Sequence, residues 1–285
     1  MSMRTEFVLP SGVIAALDNR VAMSGASPDD RGGPGSRGTV LLVPGYTGSK
    51  EDFQPLLRPM AAAGLRAVAI DQRGQYQSAW ARIEAEYQLP ALAGDLLALA
   101  EQLCPACAGL HLLGHSFGGL VARQAVLTRP ELFADLVLMG SGPAAIEGNR
   151  RALLDSGEQV LAAGGTQQLW EHLERQARAD PRYLPPVPAV QAFLYERFMA
   201  TDPASLRAMG TALRGEADRT AELAALKLPI LVLYGEDDDA WPPAIQSDMA
   251  ARLGARVAVI EGAAHSPAVE NPAATVPALL DFWHR

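Results

Sequence analysis

The feature that most constrains what this 285-residue chain can fold into is a recurring unit. A continuous apolar run of four to six residues ends in turn residues and leads into a longer helical pattern. Thr39 to Val43 is followed by Pro44-Gly45-Tyr46-Thr47-Gly48, and Leu65 to Ile70 by Asp71-Gln72-Arg73-Gly74. Leu110 to Leu113 leads to Ser116, and Leu136 to Met139 to Gly140-Ser141-Gly142. Ile230 to Tyr234 and Val257 to Ile260 complete the set. Runs this short and this apolar suit strands buried on both faces, and the helical stretches between them suit right-handed crossovers. Two further runs, Thr5 to Leu9 and Val13 to Leu17, read as strands joined at Pro10-Ser11-Gly12. The fold class is therefore α/β, a mostly parallel eight-stranded sheet flanked by helices.

Two stretches break the rhythm. From about Asn19 to Gly38 the chain is rich in Gly, Ser, Pro and Asp and reads as a loop. Between Pro143 and Thr220 helical patterns follow one another without a strand, punctuated by Gly164-Gly165, Asp180-Pro181 and Pro185-Pro186. That pattern predicts an inserted helical cap over residues 143–220, with residues 1–142 and 221–285 forming the core.

Net charge of −8, with no basic stripe, argues against a nonspecific nucleic-acid binder. The N-terminus lacks an apolar signal region, and no apolar run is long enough to span a bilayer. The expectation is a cytoplasmic protein acting on a small molecule, with no nucleic-acid or membrane partner. Cys104 and Cys107 form the only C-x-x-C pair, without the second pair a structural zinc needs, so reduced thiols are expected.

In open α/β sheets ligands bind at the carboxyl ends of the strands, so the turns there are where chemistry should be sought. Gly114-His115-Ser116-Phe117-Gly118 joins a strand directly to a helical pattern. A serine at such a turn projects over the sheet edge, provided its neighbours two positions away are small, and the helix behind it aims N-terminal amides at a developing anion. A serine hydroxyl needs a base, and histidine suits that task. Of five histidines, only His265 lies in a loop after a late strand. A carboxylate to orient it is offered by Asp237, Asp238 and Asp239, between which chemistry alone does not choose; the triplet also reads as a solvated turn or weak cation site. The order serine, acid, histidine fits a nucleophilic hydrolase.

Through LLVPGYTGS, DQRGQYQS, GHSFGG, GEDDDAWPP and GAAHSPAVENP the chain resembles the α/β-hydrolase fold superfamily, in its capped esterase-like branch. The resemblance implies a Gly-x-x-Asp-x-x-x-Pro frame that selects Asp238, between Gly235 and Pro242, and it makes His265 the base of Ser116. It implies an oxyanion hole from the backbone N–H groups of Tyr46 and Phe117. Pro44 stands where members of the family often carry a histidine, so different loop packing is expected there. Asp71-Gln72-Arg73-Gly74 resembles a structural turn of the family, which leaves Arg73 outside the expected catalytic set.

These residues imply two-step acyl transfer by Ser116, Asp238 and His265, with no metal or organic cofactor. The expected substrate is a carboxylic ester or lactone of a small to medium, fairly apolar compound, chosen by a cap that carries Leu169, Trp170, Phe193, Leu194, Tyr195, Phe198 and Met199. Several of these must simply pack the cap. Trp241 either walls the pocket or covers a loop. Amide or carbon–carbon bond hydrolysis uses the same constellation, and a slow-turnover ligand-binding protein is the alternative outside catalysis. A serine nucleophile separates the chain from the dehalogenases and epoxide hydrolases of the superfamily, which use aspartate there.

Overall fold

The computed structural model describes residues 3–20, 38–105, 109–180 and 183–284. Most of the expected early loop, and Cys107, lie outside them. A hairpin of β1 (Met3–Leu9) and β2 (Gly12–Asp18) opens the chain. Strands and helices then alternate as β3 (Thr39–Val43), α1 (Gln54–Ala62), β4 (Arg66–Ile70), α2 (Leu89–Leu103), β5 (Leu110–His115), α3 (Phe117–Thr128) and β6 (Phe133–Met139). Among the described residues four helices then follow without a strand: α4 (Gly148–Ala179), α5 (Pro188–Met199), α6 (Pro203–Gly215) and α7 (Thr220–Ala225). The alternation resumes with β7 (Ile230–Gly235), α8 (Pro243–Leu253), β8 (Arg256–Ile260), α9 (Pro267–Glu270) and α10 (Pro272–Trp283).

The eight strands form one sheet in the order β1-β2-β4-β3-β5-β6-β7-β8, antiparallel on both sides of β2 and parallel elsewhere. The apolar runs are continuous because both faces are covered. In β3, Leu41 and Val43 join the core under α2, α3 and α8, while Val40 and Leu42 join the core under α1 and α10. The edge strand β8 departs from this expectation: at the end of the sheet, its Val257 and Val259 are about half exposed. Cys104, at the end of α2, is disulfide-bonded, which corrects the expectation of reduced thiols; the chain leaves the helix there with φ −142° and ψ 57°.

From β3 the chain steps to β4 on one side and then crosses to β5 on the other. This switch opens a crevice at the carboxyl ends of β3 and β5, where Val43 pairs with Gly114.

The cap helices carry their own small core of Leu161, Leu169, Phe198 and Leu206, with Trp170, Met199 and Tyr46 against it. Helix α4 is broken at Gly165 (φ 78°, ψ −170°), the position that Gly164-Gly165 advertises. Helix α6 is the seam, since its Ala208, Met209 and Leu213 belong to the main core and the Asp202 N–H that precedes it donates to Gly74 O at 2.8 Å.

Candidate active site

Ser116 sits between β5 and α3 with φ 54° and ψ −121°, a conformation that L-residues rarely adopt. Its N–H donates to Met139 O on β6 at 2.9 Å, and its carbonyl accepts from Gly119 N–H at 2.9 Å, so sheet and helix together hold the turn. The flanking glycines are steric necessities. A Cβ on Gly114 would lie 2.3 Å from Gly118 O, and one on Gly118 would lie 2.4 Å from Val43 O.

His265 reaches the same point from the loop after β8. Its Nε2 is 2.9 Å from Ser116 Oγ, and its Nδ1 is 2.9 Å from Asp238 Oδ1. A carboxylate at Nδ1 can only accept, so that nitrogen carries the proton and Nε2 is free to accept from the serine hydroxyl. The loop is anchored by His115, whose Nε2–H donates to His265 O at 2.8 Å. Burial, reinforced by the neighbouring His265, pushes His115 down to about 4, although its hydrogen bond and nearby carboxylates pull the other way.

The three aspartates diverge rather than converging on a cation. Asp237 is exposed, and Asp239 faces outward to Arg150 of α4, with Oδ1 2.8 Å from Nη2. Asp238 alone turns inward and is buried. Burial opposes its ionisation, but hydrogen bonding and charge from His265, the Ala240 N–H and the Gln246 amide outweigh it and hold the carboxyl below its ordinary range.

The Pro44–Tyr46 loop lies against the serine turn: a Cβ on Gly45 would lie 3.1 Å from Ser116 Cβ. Phe117 is the first residue of α3, so its N–H has no acceptor within the helix. Arg73 stands apart, its guanidinium bidentate to Asp95 of α2 through Nε at 2.9 Å and Nη2 at 2.6 Å. Trp241 is buried over Gly142, donates Nε1–H to Ala144 O at 3.2 Å, and brings its ring to 6.4 Å from that of His265. It therefore both covers the loop and stands beside the site. Of the cap aromatics, Trp170 packs on Tyr195 and Phe198, and Phe193 packs edge-on against Tyr76 of the core.

Three buried glutamines escape sequence reasoning. Gln246 donates to Asp238 Oδ2 at 2.9 Å and to Trp241 O at 2.6 Å. Gln72 and Gln75 donate to the carbonyls of the Pro44–Tyr46 loop. The only available signal was position, eight residues after Asp238 or within four after Asp71, which does not distinguish them from surface amides.

The sequence pattern of the serine aminopeptidase S33 family matches residues 34–272. The chain belongs to this family. The hydrolase is 33% identical over 220 residues to a pimeloyl-[acyl-carrier protein] methyl ester esterase of Aeromonas hydrophila subsp. hydrophila, covering 75% of this chain and 83% of that one. It is 31% identical over 265 residues to a protein provisionally named carbamate hydrolase RutD from Variovorax paradoxus, covering 89% and 94%. In fold it is similar to the enol-lactonase from Burkholderia xenovorans LB400, with a TM-score of 0.77, 18% identity, and 99% and 100% of the chains covered. No helix among the described residues is long and apolar enough to cross a membrane.

Proposed function

We propose that the hydrolase cleaves a carboxylic ester or lactone of a small to medium, fairly apolar compound through an acyl-enzyme on Ser116. The observation that carries this reading is the unbroken chain from Asp238 through His265 to Ser116, with the serine on a strained turn. His265 takes the serine proton as Oγ attacks the carbonyl, then delivers it to the leaving alcohol. Water, activated by the same imidazole, releases the acid, while Asp238 stabilises the imidazolium. The oxyanion is held by the N–H groups of Tyr46 and Phe117, each contributing about 3 kcal/mol.

Residues 143–220 act as the cap in this reading and set substrate choice. The reading of an apolar substrate rests on the apolar character of the cap, whose Leu161, Leu169, Phe198 and Leu206 pack together with Tyr46 of the loop after β3 against them. Burial, with the Glu158 charge adding to it, keeps the Tyr46 phenol protonated. The wild-type chain is expected to take up a fluorophosphonate probe and hydrolyse short p-nitrophenyl esters, and Ser116→Ala to do neither. An unlabelled, inert wild type overturns the reading. A panel of methyl esters of acyl-carrier conjugates, carbamates, lactones, amides and β-diketones then assigns the bond, since the relatives named above act on different ones.

A further inference from the structure

We infer that Gln75 is a positioning residue that aims the Tyr46 N–H at the oxygen developing on the acyl carbon. The inference rests on the acyl-transfer reading above.

In a trans peptide the C=O and N–H groups point in opposite directions from one rigid plane. Gly45 C=O and Tyr46 N–H are the two ends of one such unit, so whatever fixes the carbonyl also fixes the N–H. Gln75 Nε2 donates to Gly45 O at 2.7 Å and reaches Tyr46 O at 3.3 Å. Gln72 Nε2 donates to Pro44 O at 2.9 Å, so two amides hold three successive carbonyls. Gln72 N–H in turn donates to Gln75 Oε1 at 3.0 Å, which settles that the NH2 end of Gln75 faces the loop. Both side chains are buried.

The sheet order supplies the direction. Strand β3 lies between β4 and β5, so the loop after β3 lies between the Gln72–Gln75 turn and the Ser116 turn. With the Gly45 carbonyl drawn toward β4, the Tyr46 N–H is turned toward β5 and the serine. Donation into the carbonyl also polarises the peptide and makes its N–H a better donor. Gly48 N–H donates to the same carbonyl at 3.2 Å, so the turn itself survives loss of Gln75 while its orientation loosens. Gln75 thus occupies the position from which the loop lacking a histidine at residue 44 is braced.

The test compares wild type with Gln75→Leu, which removes the donor, and Gln75→Glu, which keeps the shape but turns a carboxylate oxygen toward Gly45 O. Active sites are counted by fluorophosphonate labelling carried to completion, so misfolded protein does not enter kcat. On p-nitrophenyl butyrate, kcat per active site should fall by about tenfold to a hundredfold in both variants, less than for outright loss of a donor. KM should stay within about twofold, because the interaction is realised only in the transition state. Affinity for a trifluoromethyl ketone, whose adduct places an oxyanion in the same spot, should fall in parallel with kcat/KM. The midpoint of the pH–rate profile should not move, since His265 is untouched. A rise in KM alone, a kcat per active site equal to wild type, or unchanged ketone affinity overturns the positioning role. An inert, unlabelled wild type overturns the acyl-transfer reading as well, so the two failures are distinct.

Discussion

Gln246 holds the oxygen of Asp238 that does not face His265. Its Nε2–H donates to Oδ2 at 2.9 Å, while Oδ1 takes the imidazole and the Ala240 N–H. The carboxylate therefore cannot rotate away from the histidine without breaking a buried hydrogen bond. Gln246→Leu should lower kcat by about tenfold, by loosening the imidazole rather than removing its partner, and should cost about 1–3 kcal/mol of stability. Unchanged kinetics in Gln246→Leu would count against the brace.

The divergence of the three aspartates makes a sharper prediction. Asp238→Asn keeps the size but removes the charge that sets the His265 tautomer, and a loss of about 10⁴-fold in kcat is expected from the comparable change in serine proteases. Asp239→Asn breaks only the exposed pair with Arg150, worth about 0–1 kcal/mol. Asp237 is exposed. Asp237→Asn and Asp239→Asn should both turn over like wild type, and equal losses in all three variants would displace Asp238 from its role.

How far the sequence led depends on whether a residue's burial leaves a pattern. Strands β3 to β7 were legible because each is covered on two faces and so must be apolar throughout. Strand β8 was legible as a strand but not as an edge, since Val257 and Val259 look the same in sequence whether covered or half exposed. Gly164-Gly165 betrayed the break in α4, because few residues other than glycine take its conformation. Three identical side chains do not show which aspartate turns inward; only the resemblance, through Gly235 and Pro242, singled out Asp238, whose N–H closes a turn on Gly235 O. Gln72, Gln75 and Gln246 were missed because a polar residue near a turn reads as solvated. In the fold each one instead satisfies buried carbonyl or carboxylate oxygens.

His115 should make stability fall with acidification. Buried against the His265 loop, it is held down to about 4 in the folded chain, against about 6.5 when unfolded. Between those values the unfolded state binds the proton and the folded state does not. Its contribution is therefore fully present above about pH 6.5 and is lost as pH falls toward 4, by roughly 3 kcal/mol at most. Urea unfolding at a series of pH values should show this slope in wild type, and His115→Gln, which can still donate to His265 O, should flatten it. An undiminished slope in the variant would assign the acid sensitivity to other groups.

Arg73 and Asp95 show how a charged residue beside the site can matter without touching the chemistry. The guanidinium forks onto both carboxylate oxygens with little exposure on either side, joining the turn after β4 to α2. Arg73→Leu leaves Asp95 buried without its cationic partner and with the Ser11 hydroxyl as a donor, and about 3–5 kcal/mol of stability should be lost. Arg73→Lys keeps the charge but cannot reproduce the fork, so it should fall between wild type and Arg73→Leu. Replacing both partners by leucine removes the unpaired charge and should recover part of the loss, as expected where desolvation opposes the attraction. Because the pair acts on folding, kcat per labelled active site should stay near wild type in every variant that folds. A selective fall in kcat with Tm unchanged would instead move Arg73 into the substrate's surroundings.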